Sequence, residues 1–331
     1  VSNSGSQFLT IVVCTYNRAT ALQRAVDSLQ SLIVPKGLQV EILIVDNAST
    51  DHTQEVVAQL QSRSRIPVRY QLESIPGVAA ARNCGIRSTA SDWLAFFDDD
   101  QTVDPDWLQA LWLAAQRHHT MCVGGTVRLR LPDGFQGELS GVCRVLLSET
   151  RPADDDVPYG GPRTPGTGNL LLHRQLLQRV GWFDERVSVG GEDTELYQRI
   201  VQSGTVAWFA TGAIVYHWVP AERLRREYLL WNARRTGVHV ANWEQRRFGK
   251  VVYPLRFVAR SGQALIKLPR LGKGLLKRDG ECGERVGVEC LLAAAGAYLR
   301  RMGQWYLPRL LSQKRYFEAL DFRVERERFG S

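Results

Sequence analysis

The sequence predicts an α/β protein with a mostly parallel central sheet carrying helices on both faces, followed by a helical, basic C-terminal extension. Three observations predict it. Apolar runs of strand length alternate with helical patterns from Phe8 to about Phe97, and polar motifs stand at the carboxyl ends of those runs. The charge also divides. Up to His217 there are 18 Lys and Arg against 23 Asp and Glu, and beyond it 24 against 11, so the two parts carry −5 and +13.

The alternation runs through FLTIVVCTY, a helix from Ala19 to Leu32, VEILIVD, a helix from Thr53 to Ser62, VRYQL, a helix from Val78 to Ser88, and WLAFFDD. Such an order implies parallel strands joined by crossover helices. Ligands of open sheets of this kind bind at the carboxyl ends of the strands. Thr15-Tyr16-Asn17-Arg18, Asp46 to Asp51 and Asp98-Asp99-Asp100 fall at those ends. Asp104 as cap and Pro105 at the first position predict the next helix. A strand follows around Met121 to Leu131, and the Pro-, Gly- and Asp-rich stretch 150–168 has the composition of a loop beside a site. Asn169 to Leu172 then reads as a strand, Arg174 to Val180 as a helix, Gly191-Glu192-Asp193 as a helix start, and Val206 to His217 as a last pair of strands. Beyond Pro220, apolar residues recur at helical spacing among arginines over Ala221 to Trp243, Tyr253 to Leu268 and Val286 to Tyr306.

A chain of 331 residues that is 44% hydrophobic can bury a substantial core, which argues against disorder. Its six cysteines form no CxxC pair and no Cys/His zinc spacing, so no disulfide framework or structural zinc is signalled and a reducing cytosolic setting is expected. Phe8 to Tyr16 lacks the basic flank and cleavage site of a signal peptide. Val286 to Leu299 is interrupted by Glu289 and falls short of the ~20 residues that cross a bilayer. A cytoplasmic protein, peripheral at the inner face of the plasma membrane, is the expected setting, with the basic extension facing anionic headgroups or a lipid diphosphate. An arginine-rich surface is compatible with nucleic acid, but there is no recognition motif and nucleic acid is not an expected partner.

Three carboxylates at one strand end repel each other and call for a cation. A divalent ion shared with diphosphate oxygens supplies it, and Mg²⁺ or Mn²⁺ suits such hard ligands. The alternative for a bare run of this kind is a solvated turn entering a helix. The context favours the metal. IVVCTYNR (11–18), IVDNASTD (44–51), PGVAAARNCGI (76–86), FFDDD (96–100), GTGN (166–169) and GEDTEL (191–196) stand in the order of the family 2 glycosyltransferases, and together they resemble that family across residues 8–217.

The resemblance implies a GT-A, Rossmann-like domain over 8–217 that binds a nucleotide sugar and inverts the anomeric centre, with 218–331 as an extension docking on it or on a membrane surface. It implies a nucleotide site lined by Thr15, Tyr16 and Asn17, with Asp46 accepting a hydrogen bond from the base and Asn47 nearby. Arg82 and Asn83 would face the nucleotide or its diphosphate, Asp99 the ribose and Asp100 the metal, with Asp98 in support. Asp193 would be the catalytic base beside Glu192, and His217 a further metal ligand. Gly168 and Asn169 would lie beside the donor sugar and acceptor, where Trp182 and Trp218 could stack on a sugar face. The donor expected is a UDP-sugar, and the acceptor a carbohydrate or lipid-linked hydroxyl in polysaccharide or glycolipid assembly.

Plainer roles stand beside these: a turn cap for Asp46, a surface helix position for Arg82, helix-dipole complementation for Glu192 and Asp193, a structural strand end for His217, and core packing for the two tryptophans. Two other functions share the carboxylate chemistry or the fold. A nucleotidyltransferase would bring a Gly-rich loop after the first strand, and CTYNRATAL has no glycine. A non-catalytic sugar-nucleotide or polysaccharide-binding protein would not need both the Asp98–Asp100 run and the Glu192-Asp193 pair.

Overall fold

A computed structural model describes residues 7–160, 164–187, 190–276, 280–306 and 314–320. These residues fall into two compact units. The first holds the residues up to Arg130 with Glu149–Val187 and Gly191–Trp218, and the second takes in Leu131–Ser148 and the chain from Val219 onward. The loop expected over 150–168 includes 161–163, outside the described residues, as do 277–279, 307–313 and 321–331 of the extension.

In the first unit the strands are β1 (Gln7–Thr15), β2 (Leu38–Asp46), β3 (Val68–Leu72), β4 (Trp93–Asp98), β5 (Gln101–Val103), β6 (Cys122–Arg130), β7 (Val157–Pro158), β8 (Asn169–His173) and β9 (Trp208–Trp218). They form one sheet of order β3-β2-β1-β4-β8-β6-β9-β5, with β7 on β9. β1 to β4, β6 and β9 point one way, while β5, β7 and β8 run against their neighbours.

Alternating side chains divide the core between the two faces of the sheet. Leu9, Ile11 and Val13 of β1 and Trp93, Ala95 and Phe97 of β4 belong to one cluster, with α1 (Ala19–Leu29), α2 (Thr53–Arg63) and α4 (Trp107–Arg117). Val12, Leu94 and Phe96 belong to the other, with α3 (Val78–Arg87), α6 (Arg174–Val180) and α7 (Glu192–Gln202). Buried on both faces, these strands are the continuous apolar runs visible in the sequence. α3 lies close to the sheet because its residues are small. A Cβ on Gly85 would stand 2.5 Å from Val12 Cγ1.

Two expected elements differ. The helix after the aspartate run begins at Trp107, not Pro105, because the Asp104 carbonyl accepts from Trp107 N and closes a turn through the proline. The expected last pair of strands is the single strand β9, which slips register against β6 between Gly125 and Thr126. The irregularity is built around Asn169. Its Nδ2 donates to the carbonyls of Thr126 and Ala213, and its Oδ1 accepts from Trp107 Nε1 at 2.7 Å.

The second unit is helical: α5 (Gly141–Leu146), a 3₁₀ turn (Ala221–Leu224), α8 (Arg226–Leu275), α9 (Glu284–Tyr306) and α10 (Lys314–Glu318). The helices expected over 221–243 and 253–268 are joined within α8, which breaks at Gly249, where φ is +67°. α8 and α9 cross closely at Gly237, where a Cβ would run into the Ala294 backbone. The buried Glu244 carboxylate accepts from Tyr298 OH at 2.7 Å. Among the described residues no helix is long and apolar enough to cross a membrane, and all six cysteines are free thiols.

Candidate active site

Register gathers the motifs at one edge of the first unit. Thr15 pairs with Asp46 across β1 and β2, and Cys14 pairs with Asp98 across β1 and β4. Because β8 runs antiparallel, its first residue Asn169 lies opposite Phe97 at the same edge. The β5–β9 ladder sets His217 opposite Gln101, next to the aspartate run.

Arg82 organises the centre. Only 7% exposed, it donates through Nη1 to Glu192 Oε1, and its Nη2 lies 3.6 Å from Asp98 Oδ1. Desolvation works against its charge, yet the Glu192 and Asp98 carboxylates outweigh it and hold the guanidinium above its ordinary pKa. Arg82 is thus no surface helix residue. It ties the start of α7 to the end of β4.

On one side of it, the Asp98 carboxyl is pushed up to about 6 by enclosure and by Asp100 and Asp99, against the pull of Arg82. On the other, Asp193 is pushed up to about 6 by burial and the Glu192 charge, again opposed by Arg82. Asp193 Oδ1 accepts from Thr194 N at 2.6 Å. The glycines of GTGN fit between these groups. A Cβ on Gly168 would collide with the Asp98 carboxylate and stand 2.7 Å from Gln101 Nε2, and one on Gly166 would lie 4.0 Å from Asp193 Oδ2.

Asp99 is buried. It accepts from Thr15 Oγ1 at 2.8 Å and from Arg18 Nη1 at 3.1 Å, and burial raises its pKa. Its carboxylate therefore holds the first loop in place, a role beyond the ribose contact expected for it. Asp100 Oδ2 meets the same Arg18 nitrogen at 3.1 Å and His217 Nε2 at 3.6 Å.

Among the described residues no three His, Cys, Asp or Glu side chains converge tightly enough to enclose a cation. Asp98, Asp100 and His217 nevertheless line one stretch of edge with two hard oxygen donors and an imidazole. That set fits Mg²⁺ or Mn²⁺ completed by diphosphate oxygens, the way such ions are bound at many phosphate-transfer sites.

Several residues expected to face a ligand have their side-chain amides or ring nitrogens bound to protein groups. Asn17, with φ +51°, takes Thr50 N and Asp51 N on its Oδ1 and knits the first loop to the second. Asn47 donates to the carbonyls of Glu73 and Ile75 and accepts from Gly77 N, which shapes the entry to α3. Asn83 holds the 183–185 segment through Phe183 N, Phe183 O and Glu185 Oε1. The buried Asn169 gives its amide to the β9 irregularity and to Trp107. Trp218 donates to Thr102 Oγ1 and lies against Arg24, whose guanidinium carbon is 4.2 Å from the ring centroid.

Asp46 does cap its turn, accepting from Ser49 N, and its other oxygen accepts from Tyr70 OH, both at 2.9 Å. Each oxygen retains a lone pair for a base imide. Tyr16 is 46% and Trp182 37% exposed, so both keep surface for a ligand. Arg18 and Gln101 were not singled out in the sequence. The signal for Arg18 was a cation at a strand end facing a row of three acids, and that for Gln101 its place directly after them.

The model of Glycosyl transferase family 2 matches residues 10–181, just over half of the chain. The chain belongs to this family. It is similar to the succinoglycan biosynthesis protein ExoM of Rhizobium meliloti (strain 1021), 29% identical over 233 residues, which are 69% of this chain and 71% of ExoM. ExoO of the same organism is 36% identical over 215 residues, 63% of this chain and 60% of that protein. Chondroitin synthase of Escherichia coli is 26% identical over 241 residues, covering 64% of this chain but 35% of the synthase. The crystal structure of GalNAc-T7 with UDP, GalNAc and Mn²⁺ shares the fold, with a TM-score of 0.53 at 19% identity over 70% of this chain and 48% of that one. The GT-A fold expected from the family 2 motifs is thus the fold observed.

The raised acids give a stability prediction. An acid whose folded pKa exceeds its ordinary value stabilises fully below that value and loses the contribution as pH rises through the folded pKa. For Asp193 the window runs from 3.8 to about 6. In EDTA, Asp193→Asn should therefore gain stability over the native chain between pH 4 and pH 7.5, on the order of 2 kcal/mol. Urea unfolding at both pH values checks it, and an equal difference at the two would contradict the assignment.

Proposed function

We propose that the chain is an inverting, metal-dependent glycosyltransferase that moves a sugar from a nucleoside diphosphate, UDP in preference, to an acceptor hydroxyl in polysaccharide or glycolipid assembly. The observation that carries the reading is the placement of Asp193 and Asp98 on either side of Arg82 at one sheet edge, both acids near 6. Membership of family 2 and similarity to the succinoglycan biosynthesis proteins ExoM and ExoO and to chondroitin synthase support it.

In this reading Asp46 receives the imide N–H of the base beside Tyr16, and the Asp98-Asp99-Asp100 run serves as a DXD-type motif. Asp98, Asp100 and His217 would hold Mn²⁺ or Mg²⁺, which when bound neutralises charge developing on the diphosphate. Asp193 accepts the proton of the acceptor hydroxyl as that oxygen bonds to the anomeric carbon. The bond to the diphosphate oxygen breaks on the opposite face, and its electron pair leaves with the nucleotide. A carboxylate near 6 is basic enough to accept the proton and still ionised at neutral pH. Glu192 keeps Arg82 in place, and Trp182 offers a face for sugar.

We further infer that residues 218–331 rest on an anionic membrane surface. Their charge of +13 supports this, as do the exposed Leu291, Leu292 and Leu299 of α9. The presented acceptor would then be lipid-linked, and the protein peripheral at the cytoplasmic leaflet.

Calorimetry with UDP, dTDP and GDP, with Mn²⁺ or EDTA, should show metal-dependent binding that Asp100→Ala abolishes. Asp193→Asn should keep nucleotide affinity while turnover of the matching nucleotide sugar falls about 10²- to 10⁴-fold, and native activity should decline below about pH 6. Retained turnover in Asp193→Asn would sink the catalytic assignment. In flotation, the full chain should bind phosphatidylserine vesicles at low salt and detach in about 0.5 M salt; indifference to anionic vesicles removes the membrane proposal.

A further inference from the structure

The first loop aims a cation at the aspartate run. Arg18 precedes α1, and its Nη1 donates to Asp99 Oδ1 and to Asp100 Oδ2, each at 3.1 Å. The side chain is only 20% exposed. Its backbone is held by the residue before it. Asn17 sits in the left-handed region, where a residue other than glycine needs compensation, and obtains it from Ser49 Oγ, Thr50 N and Asp51 N. The next residue is tied as well, since Ala19 N donates to Asp51 Oδ2. Arg18 is therefore directed at the carboxylates by a network that spends two loops on it.

Its target is the oxygen that matters for a cation. Asp100 Oδ2, which meets Arg18, is also the atom 3.6 Å from His217 Nε2. Arg24, stacked on Trp218, adds a second positive charge felt by Asp100. A divalent ion arriving alone at Asp100 and His217 has to displace the Arg18 hydrogen bond and then stand beside guanidinium charge in a partly buried site, where screening is weak. A diphosphate changes the balance. Its oxygens offset the ion's charge and offer the guanidinium a planar, two-oxygen partner in exchange for Asp100.

We propose that Arg18 is a positioning residue that makes cation and nucleoside diphosphate bind together: it occupies Asp100 until a diphosphate draws it away. The proposal rests on the donor-site reading above. It implies that the resting enzyme has little affinity for free divalent ion, and that ion and nucleotide leave together after transfer.

The test is the linkage between Mn²⁺ and UDP on the full chain, followed by electron paramagnetic resonance of free Mn²⁺ with and without UDP, and by calorimetry of UDP with and without Mn²⁺. Each ligand must change the other's affinity by the same factor, expected at roughly 10- to 100-fold in the native chain. Arg18→Gln should bind Mn²⁺ alone about tenfold more tightly than the native chain, with the coupling shrunk accordingly. Arg18→Lys, which restores a cation, should restore weak Mn²⁺ binding and strong coupling; a role confined to folding moves neither quantity this way. Thermal melts establish that the variants are folded. Equal Mn²⁺ affinity of the native chain and Arg18→Gln in the absence of UDP overturns the proposal. So does a native coupling below about twofold, which needs no variant. Failure of the donor site itself looks different: Asp100→Ala would leave joint Mn²⁺ and UDP binding at the native value.

Discussion

A buried guanidinium between two sets of carboxylates is the constraint on which the rest of the edge depends. Arg82 has little solvent to fall back on, so its charge must be met by protein, and Glu192 from α7 and Asp98 from β4 meet it. Neither partner is near it in sequence. The sheet has to bring β4 to the middle, and α3 has to lie close enough on Val12 for its arginine to reach the strand end. The small residues of α3 are therefore part of the electrostatics. Without them the helix would stand off, and Asp98 and the Glu192-Asp193 pair would face each other with no cation between.

The same arginine sets the working range of the acids around it. Burial and like charge push Asp98 and Asp193 up, and Arg82 pulls both down, which leaves each at about 6. Without that pull each carboxyl would sit higher still, and one paired directly with a guanidinium would be a weaker base. Arg82 donates to Glu192, so the neighbour takes the direct pair and Asp193 feels the guanidinium only through its charge. Arg18 serves the Asp99–Asp100 end in the same currency of charge, as Arg82 serves Asp98.

What the sequence disclosed follows from what apolar periodicity can encode. β1, β2 and β4 are buried on both faces, so their runs are uninterrupted and their ends are visible, and with the ends came the positions of Asp46 and Asp98; Asp193, in the first turn of α7, came from the GEDTEL motif. Polar residues in loops carry no such marker. Asn17, Asn47, Asn83 and Asn169 are the residue type of a ligand contact, and each spends its amide on protein groups. Only the fold reveals which donors a loop leaves to saturate. Arg82 was ambiguous for a related reason: α3 is buried nearly all round, so its helical pattern has no polar face to mark an inward arginine as unusual. The slip at Gly125 is likewise set by a tertiary contact, Asn169 reaching in from β8.

Arg82 and Glu192 act as one unit joining the two ends of the site. A double-mutant cycle on folding stability tests it most directly, with Arg82→Met, Glu192→Gln and the double variant unfolded in urea at pH 7.5. Arg82→Met alone should cost roughly 3–5 kcal/mol, because it leaves Glu192 charged and buried. The double variant should recover much of that loss, giving a coupling of about 2 kcal/mol or more. Additive effects within about 0.5 kcal/mol would contradict the account, because they would mean that the ion pair does not hold the edge together.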